Sequence, residues 1–202
     1  MAFADKPLPY SRGISFLVAI VSILFAFLGA KNLVLLLQSP TIGWTTGVVA
    51  GVLLGFLLHE LAHEYFARVG GCIARFTLSK IGLMLTLLSG LLRSVGFPFV
   101  ILAPGYVAIM CPVYFRGIER GETSVAASGP AINIALAVIG LVSASILSGK
   151  YASFMTGFRE INAWIAFFNL LPFYPLDGSK ILRGNFALWV IMFFASISLM
   201  YI

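Results

Sequence analysis

The chain has 202 residues, of which 60% are apolar and only 10% charged, with a formal net charge of +6. Soluble domains carry about 25% charged residues, so this composition excludes an ordinary soluble globular protein and describes an integral membrane protein lying in a lipid bilayer. The positive charge does not indicate a nucleic-acid partner, because the basic residues are scattered between apolar stretches instead of gathering into a patch.

Lys6 and Arg12 precede a first apolar run, from about Gly13 to Gly29 with an extension toward Leu37. It lacks a small-residue cleavage pattern and reads as a retained helix, not a signal peptide. The second run, about Thr46 to Phe66, is long enough to cross a bilayer and carries His59-Glu60-Leu61-Ala62-His63 at its far end. These are the only 2 histidines in the chain. On a helix they fall one turn apart on one face, where both imidazoles can reach one metal ion. Glu60 projects about 100° round from His59, suited to hold a water at that ion without being a ligand. Ionisable side chains within a span each cost roughly 2.5–3.5 kcal/mol even on lenient insertion scales. The motif therefore argues for a zinc peptidase built inside a membrane.

Residues 72–115 are apolar but broken by Arg93, Gly82, Gly90, Gly96, Pro98, Pro104, Gly105 and Pro112. One long helix cannot tolerate that punctuation. Non-helical backbone at membrane depth needs protein or a water-filled cavity around it. The stretch thus reads as re-entrant, made of short helices or strands that return to the side they left. Cys72 and Cys111 make no disulfide framework and read as free, buried thiols. Three more spans follow, at about Ser124–Leu147, Phe158–Leu171 and Asn185–Ile202. The expected fold is an all-α polytopic membrane protein with about five to six transmembrane helices and a re-entrant region containing short strands. Residues 1–202 form one domain. With the N-terminus and residues 67–123 inside, ten basic residues lie on inner loops, against only Lys31, Lys150 and Arg159 outside. That bias puts the histidines toward the cytoplasmic side.

Catalytic zinc usually takes three protein ligands plus a water. Elimination among the seven acids is short. Asp5 precedes the first span, Glu60 is more useful as a base, and Glu64 is aimed about 100° away from His63. Glu119 and Glu122 sit in a charged loop, and Glu160 lies near the opposite membrane face. Asp177 remains. It closes Asn169-Leu170-Leu171-Pro172-Phe173-Tyr174-Pro175-Leu176-Asp177-Gly178, where two prolines stop a helix and a glycine permits an unusual turn. Asn169 either caps or bridges helices, or steadies Asp177 from behind. His63 and Asp177 reach one depth only if residues 67–123 make no net crossing.

HELAH in one span with NLLPFYPLDG in a later one resembles the site-2 protease family of intramembrane zinc metalloproteases, over roughly residues 45–183. The resemblance implies one Zn2+ per chain on His59, His63 and Asp177, with Glu60 as general base. The family's Gly-Pro-x-x-Asn element reads Ser128-Gly129-Pro130-Ala131-Ile132-Asn133 here, which implies that Asn133 contacts the substrate carbonyl or its oxyanion. It also implies an extended substrate-pairing strand; the best match is 104–110, with Gly105, Tyr106, Val107, Ala108 and Ile109 at its heart. The PDZ and CBS domains of some relatives have no counterpart. The expected partner is a single-span membrane protein, an anti-sigma factor or membrane-tethered regulator, in a prokaryotic cell membrane. The competing readings are a catalytically silent membrane scaffold and a metal-binding or transport protein. A transporter predicts ligands along a path, yet no third histidine exists; a scaffold needs no base, yet Glu60 is intact.

Overall fold

The computed structural model describes residues 8, 10–38, 41–97, 100–111 and 118–202. Among them the order is α1 (Arg12–Gln38), α2 (Trp44–Val69), β1 (Ile73–Leu78), α3 (Lys80–Ser94), β2 (Gly105–Met110), α4 (Ile118–Ile146), α5 (Gly149–Asn169), α6 (Asp177–Gly184) and α7 (Phe186–Tyr201). Three helices are long and apolar enough to cross a membrane: α1, α2 and the Gly121–Ile146 part of α4. Of the expected five to six spans, three among the described residues meet this standard of length and apolarity. α5 has 21 residues but carries Lys150, Arg159 and Glu160, and α7 has only 16. α1 bends at Gly29, whose φ of 70° lies in the left-handed region that glycine adopts without strain.

α2, α4 and α5 form the centre of the molecule. Gly47, Gly51 and Gly55 recur every fourth residue along one face of α2. They meet, in turn, the Phe154 carbonyl, the Phe158–Ile161 turn and Asn162 of α5. In lipid no hydrophobic effect drives helices together, and small residues let backbones approach closely enough for packing to hold them. The order of these contacts makes α2 and α5 run parallel. On α4, Gly129 lies against the histidines and Gly140 against Arg159, so α4 runs the other way. The end of α5, and Asp177 just beyond it, therefore arrives at the depth of His59 and His63.

Residues 72–115 are not one helix. β1 and β2 pair antiparallel, from Ile73↔Met110 to Leu78↔Gly105, so the chain ends this excursion beside its starting point. α3 packs on α1 between the two strands, Gly90 lying against Phe25. Residues 98–99 and 112–115 of this stretch lie outside the described residues. One expectation is corrected here: Cys72 and Cys111 are bonded to each other. They flank the strands, one step beyond the Ile73↔Met110 pair, and the antiparallel register brings them together. Their separation of 39 residues carried no such signal, because only strand pairing creates the contact.

Among the described residues, hydrogen bonds tie the sheet to the bundle along the β1 edge. Phe76 stacks on Phe16 of α1, centroids 4.6 Å apart, and meets Phe56 of α2 edge-on at 5.6 Å. Glu64, 2% exposed, accepts from the Phe76 N–H at 2.8 Å, from Arg12 at 2.6 Å and from Arg68 at 3.1 Å. The Leu78 carbonyl takes the Leu8 N–H at 3.5 Å. Phe76 and Leu78 thus point their polar groups away from β2. In an antiparallel ladder the residue opposite an outward-facing one also faces outward. Val107 lies opposite Phe76. It and Ile109, two residues on, therefore turn their N–H and C=O groups to the far edge of β2, which no hydrogen bond among the described residues occupies.

Candidate metal centre

His59 and His63 leave α2 on its buried face, 2% and 6% exposed. Their Nε2 atoms face each other at 3.0 Å. Asp177 is the first residue of α6, where a carboxylate also favours the helix N-terminus. Its Oδ2 lies 3.0 Å from His63 Nε2 and 3.5 Å from His59 Nε2. Lys180 approaches the other oxygen at 3.6 Å. The turn delivering Asp177 is tight: a Cβ on Gly178 would strike the carbonyls of Leu170 and Leu171. Trp189 of α7 secures the end of α5 by donating to the Leu170 carbonyl at 2.8 Å.

The far sides of both rings are occupied. His63 Nδ1 donates to the Val125 carbonyl at 2.7 Å, with the Ser128 hydroxyl at 3.4 Å. His59 Nδ1 donates to Asn133 Oδ1. A proton on each Nδ1 leaves the Nε2 lone pairs facing inward. Two neutral imidazoles and one carboxylate are the donor set of a catalytic zinc site, and each ring has the outer partner such ligands usually have. Oxygen and nitrogen donors 3.0–3.5 Å apart suit one ion bound at about 2.0–2.2 Å from each. The space is kept open by Gly129 of α4, where a Cβ would fall 2.7 Å from both His59 Nε2 and His63 Cε1. The residues present fit zinc.

Glu60 is buried beside this cluster, 7% exposed, and makes no hydrogen bond or ion pair among the described residues. Its carboxylate is thus uncommitted. Glu64 is fully engaged in tying α2 to β1 and Arg12 and does not join the cluster. Gly105, Tyr106, Val107, Ala108 and Ile109 all lie in β2.

Asn133 is 0% exposed and both ends of its carboxamide are engaged: Oδ1 with His59, Nδ2 donating to Asn162 Oδ1 at 3.0 Å. It stands behind His59, a contact that the resemblance did not suggest. Asn169 donates to the Ile165 carbonyl of its own helix at 3.0 Å and makes no hydrogen bond to Asp177 among the described residues. Three contributors escaped the sequence reading: the Val125 carbonyl, Ser128 and Asn162. Ser128 stands inside the Ser-Gly-Pro-x-x-Asn stretch, and the signal for Asn162 is an amide within an apolar span. A backbone carbonyl leaves no trace in a sequence.

The chain is 32% identical over 128 residues to the Methanocaldococcus jannaschii protein named "Putative zinc metalloprotease". The match takes in 62% of this chain and 63% of that relative, so the chain spans a little under two thirds of its length. No family model matches the chain. No solved structure matches it.

Proposed function

We propose that this protein is a membrane-embedded zinc peptidase of the site-2 protease type, cutting a single-span membrane protein within or near its transmembrane segment. One observation carries the reading: two imidazole nitrogens and a carboxylate converge in a glycine-walled space beside an acid that makes no hydrogen bond or ion pair among the described residues. The relative's name supports zinc and proteolysis, and the three long apolar helices support a membrane setting. α5 and α7 complete a bundle of five or more membrane-embedded helices.

His59, His63 and Asp177 hold the metal, one ion per chain. Zinc, when bound, polarises a carbonyl and makes water a better nucleophile near neutral pH. Glu60 takes the proton of the attacking water and returns it to the departing amine. The edge of β2 away from β1 holds the substrate extended, offering the Val107 and Ile109 N–H and C=O groups to backbone that unwinding of a helical substrate releases. The basic inner loops support an active site toward the cytoplasmic side of a prokaryotic membrane. A membrane-tethered regulator such as an anti-sigma factor is the substrate class.

The test is zinc content together with cleavage of a single-span reporter by the detergent-purified chain. About one zinc per chain and a cut reporter are expected, with Asp177→Asn losing the metal. Wild type free of zinc after purification without chelators sinks the reading in favour of a silent scaffold. Zinc without cleavage of any single-span reporter favours metal binding as the function. The strand has its own test. Ile109→Pro deletes an outward N–H and leaves the β1 ladder intact. One hydrogen bond is worth about 0.5–1.5 kcal/mol, so reporter cleavage should fall roughly 2- to 12-fold in kcat/KM with zinc content unchanged. Unchanged kcat/KM would remove β2 from substrate binding.

A further inference from the structure

We infer that Asn162 is a positioning residue for the metal centre: through Asn133 it fixes which nitrogen of His59 carries the proton. The inference rests on the metal reading above. A carboxamide has an accepting end and a donating end, and only its partners decide which way it faces. Asn133 is thus a poor anchor on its own. Turned over, it would present N–H groups to His59 Nδ1, which would then have to accept. The ring's proton would move to Nε2, where the metal lone pair belongs.

The structure removes that freedom one helix further out. Asn162 Nδ2 donates to the Phe158 carbonyl at 2.8 Å, and a carbonyl can only accept. That contact fixes the amide of Asn162, so its Oδ1 must face Asn133. Oδ1 takes the Asn133 Nδ2 at 3.0 Å, which turns the Asn133 Oδ1 toward His59. Each link is forced by the one before it, from a backbone carbonyl on α5 to a ring nitrogen on α2. Both asparagines are 0% exposed, so water does not substitute for either partner. Gly55 makes the room: a Cβ there would sit 3.0 Å from the Asn133 Nδ2 and overlap Asn162 Oδ1. His63 needs no such chain, since its Nδ1 donates to the Val125 carbonyl, which has no donating end.

The experiment measures zinc affinity of the full chain in detergent, by competition with a chromogenic chelator. Asn162→Leu is made in two backgrounds, wild type and Asn133→Asp. A carboxylate accepts from either oxygen, so an aspartate at 133 needs no orienting partner. Expected is a 10- to 100-fold loss of zinc affinity for Asn162→Leu in the wild-type background, the usual cost of losing an outer partner of a ligand. In the Asn133→Asp background the loss should be less than about 3-fold, the non-additivity expected of two residues acting through one hydrogen-bond chain. Equal losses in both backgrounds, or no loss in the first, overturn the inference while leaving the metal reading intact. Wild type that binds no zinc overturns both. Should Asn162→Leu fail to run as a monodisperse species, Asn162→Ser, whose hydroxyl is too short to reach Asn133, takes its place under the same criteria.

Discussion

Glu60→Gln is expected to keep its zinc and lose its peptidase activity by a factor of about 10²–10⁴, the range assigned to a positioned general base. The substitution preserves size and shape, and Glu60 makes no hydrogen bond among the described residues that the amide would break. Helix α2 should therefore carry glutamine at this position without rearrangement. The result separates two roles. A base is needed only for the reaction, so metal stoichiometry, measured by atomic absorption on the purified variant, should equal that of wild type. Loss of zinc would instead make Glu60 a ligand and reopen the assignment of Asp177.

Gly129→Ala has the second large effect, and its direction runs against simple helix energetics. Gly129 lies inside α4, where alanine is favoured over glycine by about 1 kcal/mol. On that ground alone the variant should be more stable. But the added methyl would sit 2.7 Å from His59 Nε2 and as close to His63 Cε1, in the space between the donors. Zinc affinity should drop by about 100-fold or more, the upper end of what disturbing a ligand's surroundings costs. Thermal unfolding of the metal-free protein should stay level or fall, because the methyl forces two buried rings to shift, at an overpacking cost of about 1–3 kcal/mol that cancels or exceeds the helix gain. Retention of wild-type zinc affinity would mean that the ion binds elsewhere.

Much of the site was legible because intramembrane chemistry is costly and therefore sparse. With only 2 histidines and 7 acids, His59, Glu60, His63 and Asp177 could be picked out by elimination. The prolines before Asp177 announced the turn that aims it. The break-up of residues 72–115 was visible in their glycines and prolines, and 104–110 read as a strand. What stayed hidden was everything set by three-dimensional adjacency. The register that joins Cys72 to Cys111 depends on strands 27 or more residues apart in sequence, Leu78 to Gly105 being the nearest pair. The orientation of Asn133 depends on Asn162, 29 positions away on another helix. The place of Arg159 was hidden for a related reason: read from charge as an outer-loop residue, it is buried against Gly140 of α4.

The bond between Cys72 and Cys111 has a topological consequence. It makes a covalent ring of the backbone from 72 to 111, with α3 and both strands inside it. One peptide bond can be cut anywhere in that ring without dividing the molecule, and the two pieces part only when a thiol reductant opens the bridge. β2, the strand whose far edge faces away from β1, is thereby tied to the end of α2 by a chain of covalent bonds in both directions. Pulling on that edge loads the α2 backbone directly, on the same helix that carries His59 and His63.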